Sequence, residues 1–451
     1  MSEQTLCFQR TIPIRHRVNV FVAGGGPAGV AAAIAAAQQG QRVFLAEAQA
    51  AFGGMGTTGG LPMFCGMTDE INFLAGGIGR KVYEQLWKAN GMAISMPHDV
   101  TRPEVFFKGE VLKRVYDQLI LESGIEFSLM TRVIEVETDG ERVTAAICEG
   151  KSGIFAVVAD VFIDCTGDAD LCARVGAPFA QGDADGHVQA GTLCSVWANI
   201  DWEAANRAHH GIWRQQEHLP RAFADGVFSV QDAHLPGMIP VAAHVGYGNI
   251  GHAFGVDGTD ERSLTAALMD MRKKLLEYER FYKEYLTGYE QMELVSTAAV
   301  LGIRETRRIV GDYVLKLDDF RNRASFDDEI GRFAYGVDLH ASTPSPEDYQ
   351  SFLQDYKCLQ LAPGESYGIP YRVLLPQGKR NLLTAGRCVS TDRSIQASIR
   401  VMPGCFITGQ AAGVAAALAV EAGMSTRDIS IRELQTRLVK LGAYLPHAEI
   451  A

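Results

Sequence analysis

Apolar residues fall along this chain in two patterns, and their alternation outlines a fold. Residues 18–23 (VNVFVA) and 43–46 (VFLA) are short continuous apolar runs, which predict strands. Between them stand GGGPAG at 24–29 and an Ala-rich run to Gln39, which predict a tight turn and then a helix. Helical patterning returns at 78–88 and at 107–122, where Val111, Val115 and Leu119 form one apolar stripe. From 125 to 163 short β-rich runs are punctuated by Asp139-Gly140 and Lys151-Ser152-Gly153, as in an antiparallel meander. The last of them runs into Thr166-Gly167-Asp168 and is expected to return to the edge of the first sheet.

The pattern changes at about Gly182. Tryptophans, histidines and irregular turns follow, then a charged helical stretch at 260–285 with Leu264, Leu268, Met271 and Leu275 on one face. Glycine-rich signals resume at 381–387 (NLLTAGR), a strand entering a turn. At 402–413 (MPGCFITGQAAG) they continue, with a helix start expected at Gly409 to Ala412. The chain is therefore expected to divide at 1–182, 183–360, 361–425 and 426–451. These are the first part of a nucleotide-binding domain, an inserted α+β cap or substrate domain, the second part of the first domain, and a C-terminal helix.

The chemistry of the first segment is specific. Gly24 allows the tight turn, Gly26 lets the backbone approach a pyrophosphate, and Gly29 permits close helix–strand packing. The helix N-terminus then faces the phosphates with its positive end. Glu47 lies roughly 20 residues past the glycines, where a carboxylate accepts both hydroxyls of a ribose. These features imply a dinucleotide, FAD or NAD(P). A nucleotide fold interrupted and completed near the end of the chain points to FAD.

Composition narrows the partners. With 42 basic and 53 acidic residues the formal net charge is −11, which argues against nucleic acid. No uninterrupted apolar run reaches about 20 residues, so no membrane partner is expected. The nine cysteines form no C-x-x-C pair, which excludes a self-contained iron–sulfur or structural zinc centre; no metal site is expected, and the scattered thiols fit a reducing cytoplasm.

The loop at 24–29 and the blocks at 162–171 (FIDCTGDADL), 301–313 (LGIRETRRIVGDY), 367–376 (YGIPYRVLLP) and 381–417 together resemble a known family. It is the family of FAD-dependent oxidoreductases distantly similar to fumarate reductase and succinate dehydrogenase flavoproteins. The resemblance implies bound FAD and an α/β, glutathione-reductase-like, Rossmann-type fold interrupted by the inserted domain. It places Gly24, Gly26 and Gly29 at the pyrophosphate, Glu47 at the ribose, Gly54 and Met55 beside the ribityl chain, and Val133 at the adenine. Thr166, Gly167, Asp168, Gly386 and Arg387 would close over the middle of the cofactor. Relatives often carry an acid where this chain has Arg387, so that arginine is expected to meet a phosphate directly. Gly409, Ala411 and Ala412 would aim a helix dipole at the flavin pyrimidine.

Outside the cofactor, Arg400 occupies a place comparable to the substrate-carboxylate arginine of fumarate-reductase-like enzymes, and a guanidinium fork suits a carboxylate. The alternative is an arginine bracing its loop against an internal acid. Arg304, with Arg307 and Arg308 at helical spacing around Glu305, is a candidate anion site or an Arg–Glu lattice tying domains together. Among His187, His244 and His252, the last is the preferred proton partner because glycine precedes it at 251 and follows at 255. Tyr247, Tyr367 and Tyr371 are candidate pocket residues, and Cys65 and Cys388 are read as inert buried thiols. The implied function is a dehydrogenase or reductase passing hydride between flavin N5 and a small organic molecule, with an unidentified electron acceptor. A flavin-dependent lyase or isomerase and an electron-transfer flavin subunit are the rivals, and a homo-oligomer is left open.

Overall fold

The computed structural model describes residues 6–448 apart from 95, 97, 98, 100 and 209–211. Its central sheet starts with β1 (Ile14–Ala23), which pairs in parallel with β2 (Val43–Ala46), and β2 pairs in parallel with β3 (Glu126–Ser128). The meander follows as β4 (Arg132–Asp139), β5 (Arg142–Gly150) and β6 (Gly153–Asp164), each antiparallel to the next. Late in the chain β7 (Leu382–Thr384) joins β6 in parallel.

The sequence expectation of an edge position for the last meander strand is corrected here. The strand order is β3-β2-β1-β6-β5-β4, so β6 lies in the middle. One edge of β6 pairs with β1, from Ile14↔Ala156 to Ala23↔Asp164. Its other edge is shared, pairing first with β5 and, over Phe162 to Asp164, with β7. A twelve-residue strand is long enough for this double duty, and it is how the interrupted nucleotide fold is completed.

Alternation along β1 explains why it is central. Val20 and Val22 join one apolar cluster with α1 (Pro27–Gln38) and α2 (Met402–Ala422), whereas Phe21 and Ala23 join another with Phe44, Phe162, Leu382 and Cys388. Period-two side chains therefore bury both faces of the strand. Above it, α1 and α2 approach closely because their contact is made by small residues. A Cβ on Gly409 would stand 2.1 Å from the Ala28 carbonyl oxygen, and one on Gly413 would stand 2.2 Å from that of Ala32. In length and apolarity α2 alone among the described helices resembles a membrane span, but 83% of its apolar window is buried inside the fold.

A second, antiparallel sheet contains Gly237–Ala242, Val245–Asn249, Ser195–Ala198 and Glu293–Thr297 in that order. It packs with the helix Glu261–Tyr285 around Trp197, Met271, Leu275, Phe281 and Tyr282, forming an apolar cluster separate from that of the central sheet. Asp260 caps this helix by accepting from the Arg262 amide. The region expected to be inserted is divided by this packing. Leu315, Phe320, Ile330, Phe333 and Val337 bury into the α1–α2 cluster, not the second one, so the boundary at 360 does not follow the cores.

Candidate flavin cleft

The first turn is built as its glycines require. Gly24 has φ +92°, and a Cβ there would meet the Cys165 carbonyl oxygen at 2.6 Å; a Cβ on Gly29 would stand 1.7 Å from the Gly24 carbonyl oxygen. Gly29 thus seats α1 against the turn and does not line the cleft. Gly26 differs: a Cβ built on it meets nothing within 4 Å, so it opens onto the cleft at the N-terminus of α1. A bare backbone with free space in front of it and a helix N-terminus behind is the cradle a pyrophosphate needs. Glu47 is buried in the same wall, its Oε2 accepting the Gly25 amide at 2.5 Å and its Oε1 the Gln49 amide at 2.6 Å. Burial raises its carboxyl above the usual range, opposed by these amide donors.

The cleft is about 440 Å³ in volume, and Gly54, Met55, Val133 and Thr58 contribute to its walls. Its middle is closed by the turn after β6. Asp164, fully buried, organises that turn: Oδ1 accepts the Thr166 amide and hydroxyl at 3.1 and 2.8 Å, and Oδ2 accepts the Cys172 amide at 2.8 Å. The sequence reading passed over Asp164, although an acid ending an apolar strand was a signal that could have found it. Thr166, Gly167, Asp168, Gly386 and Arg387 all line the cleft. Arg387 is already engaged, its Nη2 donating to Asp168 Oδ1 at 2.6 Å. Arg387 is thus an ion-pair partner of Asp168 before any phosphate is considered.

Three residues given to the flavin do not line the cleft. The helix expected to start at Gly409 starts at Met402, and it is Met402 and Cys405 that line the cleft. Gly409, Ala411 and Ala412 lie mid-helix and wholly buried, with Gly409 against α1. An Ala-Gly run marks tight helix packing as readily as a ligand contact.

Arg400 ends the helix Arg393–Ile399 and lines the cleft next to the start of α2. Its Nη2 donates to the Asp338 carbonyl at 3.0 Å and to Asp338 Oδ2 at 3.3 Å, while its Nε is buried without a partner among the described residues. Arg304 is outside the cleft lining: its Nη1 holds the Ala190 carbonyl at 2.7 Å and the Thr192 hydroxyl at 2.9 Å. Burial, together with the charge of Arg400, pushes the Arg304 guanidinium down to about 10. The helical spacing invoked for its block is corrected too, since Arg307–Ile309 is a strand paired with Phe179–Gln181. Glu305 instead binds Arg308 and Arg393, the lattice reading of this segment.

His252 stands apart from the cleft, in a small closed cavity with His234 and His340. Its Nδ1 faces Asp232 at 3.1 Å and its Nε2 faces His340 Nδ1 at 3.0 Å. His340 Nε2 in turn faces Asp338 at 3.3 Å. Burial pushes His234 down to about 3, helped by the neighbouring His252. Burial acts to raise Asp338, but His340, Arg400 and Arg304 outweigh it and hold the carboxyl well below its usual range. The remaining candidates are packing groups or lie at the surface. The Tyr367 hydroxyl meets Ser398, that of Tyr371 donates to the Thr426 carbonyl, and His187 is exposed beside Asp183. His244 bonds the Ile200 carbonyl, Tyr247 pairs within the second sheet, and burial raises Cys65 and Cys388, the latter to about 12.

A parallel sheet with its cleft at the strand ends, a glycine turn opening a helix, and an acid on the neighbouring strand define a dinucleotide-binding flavoprotein. The chain belongs to the FAD-dependent oxidoreductase family, whose model matches residues 19–438, and its cofactor is FAD. No curated protein matches it by sequence. Among solved structures it is similar to p-nitrophenol 4-monooxygenase PnpA from Pseudomonas putida DLL-E4, at 11% identity and TM-score 0.47 over 94% of this chain and 86% of that one. The myxobacterial chondrochloren halogenase CndH gives 13% and 0.48, over 94% and 79%. A geranylgeranyl bacteriochlorophyll reductase-like protein from Thermoplasma acidophilum gives 12% and 0.44, over 94% and 83%. The family shown is FAD-dependent oxidoreductase, a broader class than the fumarate-reductase likeness drawn from the sequence.

Proposed function

We propose that this FAD-dependent oxidoreductase exchanges hydride with a small organic carboxylate held by Arg400, with the second sheet and the helix Glu261–Tyr285 acting as a cover over the substrate. The observation that carries the reading is the state of Arg400: it lines the flavin cleft and keeps a buried Nε without a partner. An unpaired buried guanidinium N–H is costly unless a ligand meets it. Asp338 holds the Nη2 arm and so fixes the direction of the rest of the fork. Leu264 and Leu268, from the covering helix, give the cleft an apolar surface that excludes water. FAD, when bound, supplies reversible two-electron chemistry at its ring. All nine cysteines are unpaired, which supports a reducing, cytoplasmic setting.

The test is anaerobic bleaching of the bound flavin by a panel of small carboxylic acids, hydroxy acids and their neutral amides. Bleaching by an acid and not by its amide is expected. Arg400→Lys should then lower kcat/KM by about 30-fold or more at unchanged flavin content, because the charge stays but the fork is lost. Equal activity of Arg400→Ala on the bleaching substrate would remove the carboxylate reading. Turnover with no electron acceptor would favour a lyase or isomerase instead.

A further inference from the structure

The cavity holding His234, His252 and His340 belongs to neither the cleft nor the reaction proposed for it. Its hydrogen bonds do not balance. Asp232 and Asp338 are carboxylates and accept only, so each takes an N–H, from His252 Nδ1 and from His340 Nε2. A neutral imidazole has one N–H. With both rings neutral, the two nitrogens left over, His252 Nε2 and His340 Nδ1, both present lone pairs, and they face each other at 3.0 Å. His234 completes the group: its Nε2 is sealed from solvent with no partner among the described residues, and the three rings bring nitrogens within 4.8 Å of one another.

We propose that these three histidines bind a divalent first-row transition-metal ion, zinc being the simplest case. Facing lone pairs repel unless a cation to one side of the pair is met by both, and neutral imidazole is the preferred nitrogen ligand of such ions. The carboxylates complete the argument: a metal-bound histidine typically donates its other N–H to a carboxylate, which fixes the tautomer and raises ligand basicity. Both Asp232–His252 and Asp338–His340 have that arrangement. Magnesium and calcium, which take oxygen ligands, do not suit three imidazoles. The cavity measures about 10 Å³, near the lower limit for one water-sized occupant.

The ligands also say what the ion does. His234 precedes the strand Gly237–Ala242 and His252 follows the strand Val245–Asn249, both of the second sheet. His340 follows Val337, which is buried in the α1–α2 cluster, and its partner Asp338 holds Arg400. The ion would clasp the second sheet to the segment that positions Arg400.

The experiment uses untagged, flavin-loaded protein, so that no polyhistidine tag competes. Metal content per chain is measured, the protein is treated with EDTA, and zinc is added back with melting temperature and calorimetry as readouts. About one zinc per chain is expected, with an X-ray absorption shell of nitrogen or oxygen, free of sulfur, at about 2.0–2.1 Å. EDTA should lower the melting temperature and zinc restore it. His234→Ala, which removes the ring whose Nε2 has no bond to lose, should keep its flavin and lose metal at least about tenfold. His340→Gln should do the same. Wild-type protein that retains no metal and shows no 1:1 zinc binding at unchanged flavin content would overturn the proposal and leave a shared proton between the rings. So would zinc bound equally well by both variants. The number of imidazole nitrogens in the absorption shell of wild-type protein decides the matter even if the variants fail to fold: three support the site, and one with carboxylate oxygens, as Asp183, Asp185 and His187 would give, overturns it.

Discussion

Arg387 and Asp168 meet at 2.6 Å across the middle of the cleft, joining the turn after the last strand of the sheet to the turn after its central strand. These turns are 219 residues apart in sequence, so the pair fastens the two ends of the interrupted fold where the cofactor lies. Asp168 also accepts the Thr306 hydroxyl at 2.8 Å, and its carbonyl accepts from Arg307 at 3.0 Å.

Asp168→Ala should leave the Arg387 guanidinium without its carboxylate and loosen the wall of the cleft. The dissociation constant for FAD is expected to rise roughly tenfold, about 1.4 kcal/mol. Fluorescence of released flavin on dilution measures it. Unchanged retention would mean the pair braces only protein against protein.

Two glycines of one turn should fail in different ways. Gly26→Glu introduces a side chain into open space, so the apoprotein should fold and melt within a few degrees of wild type while binding no FAD. Gly24→Ala puts a Cβ at φ +92° and against Cys165, and should cost about 1–3 kcal/mol of fold stability. Apoprotein melting curves beside flavin content separate the two; a flavin-loaded Gly26→Glu protein would contradict the cradle.

Gly409→Ala tests the packing role of that residue. Its Cβ would lie 2.1 Å from the Ala28 carbonyl oxygen, forcing α1 and α2 apart. A loss of roughly 1–3 kcal/mol is expected in the apoprotein as well as the holoprotein. Loss confined to the flavin-bound form would restore a direct cofactor contact.

The C-terminal helix Ile431–Lys440 is fastened by Arg437, which binds both oxygens of Glu421 at 2.9 and 2.8 Å and Glu433 at 2.8 Å. The hydrogen bond from Arg437 lowers the Glu421 carboxyl below its unfolded value. The contribution of the pair is therefore complete above the unfolded carboxyl range and is lost as pH falls through the lowered folded value. With Glu421 38% exposed, solvent screening limits it to about 0.5–1 kcal/mol. Arg437→Ala should show this deficit at pH 7 and converge with wild type in acid, as followed by denaturant midpoints.

The sequence by itself determined the nucleotide half of the protein. Strand, glycine turn, helix and Glu47 fall within about thirty residues, and at that range local geometry leaves few arrangements: a residue with φ above zero must be small, and an acid ending the next strand must stand beside the turn. The same holds for the helices 78–88 and 261–285, whose periodicity alone exposes them. Position in the sheet was not local. β6 is central because two partners from opposite ends of the chain share one of its edges, and no pattern within 161–164 carries that information.

Only the tertiary structure decided which glycines serve the ligand and which serve packing: Gly26 has open space before its missing Cβ, and Gly409 has the Ala28 carbonyl. It also decided the pairing of Arg400 with Asp338, 62 residues away, and the meeting of His234, His252 and His340. Metal-ligand patterns are legible when ligands share a helix or a loop. These three come from separate segments: His234 and His252 flank strands of the second sheet, His340 follows a residue of the first core, and it is the packing of the one against the other that brings them together.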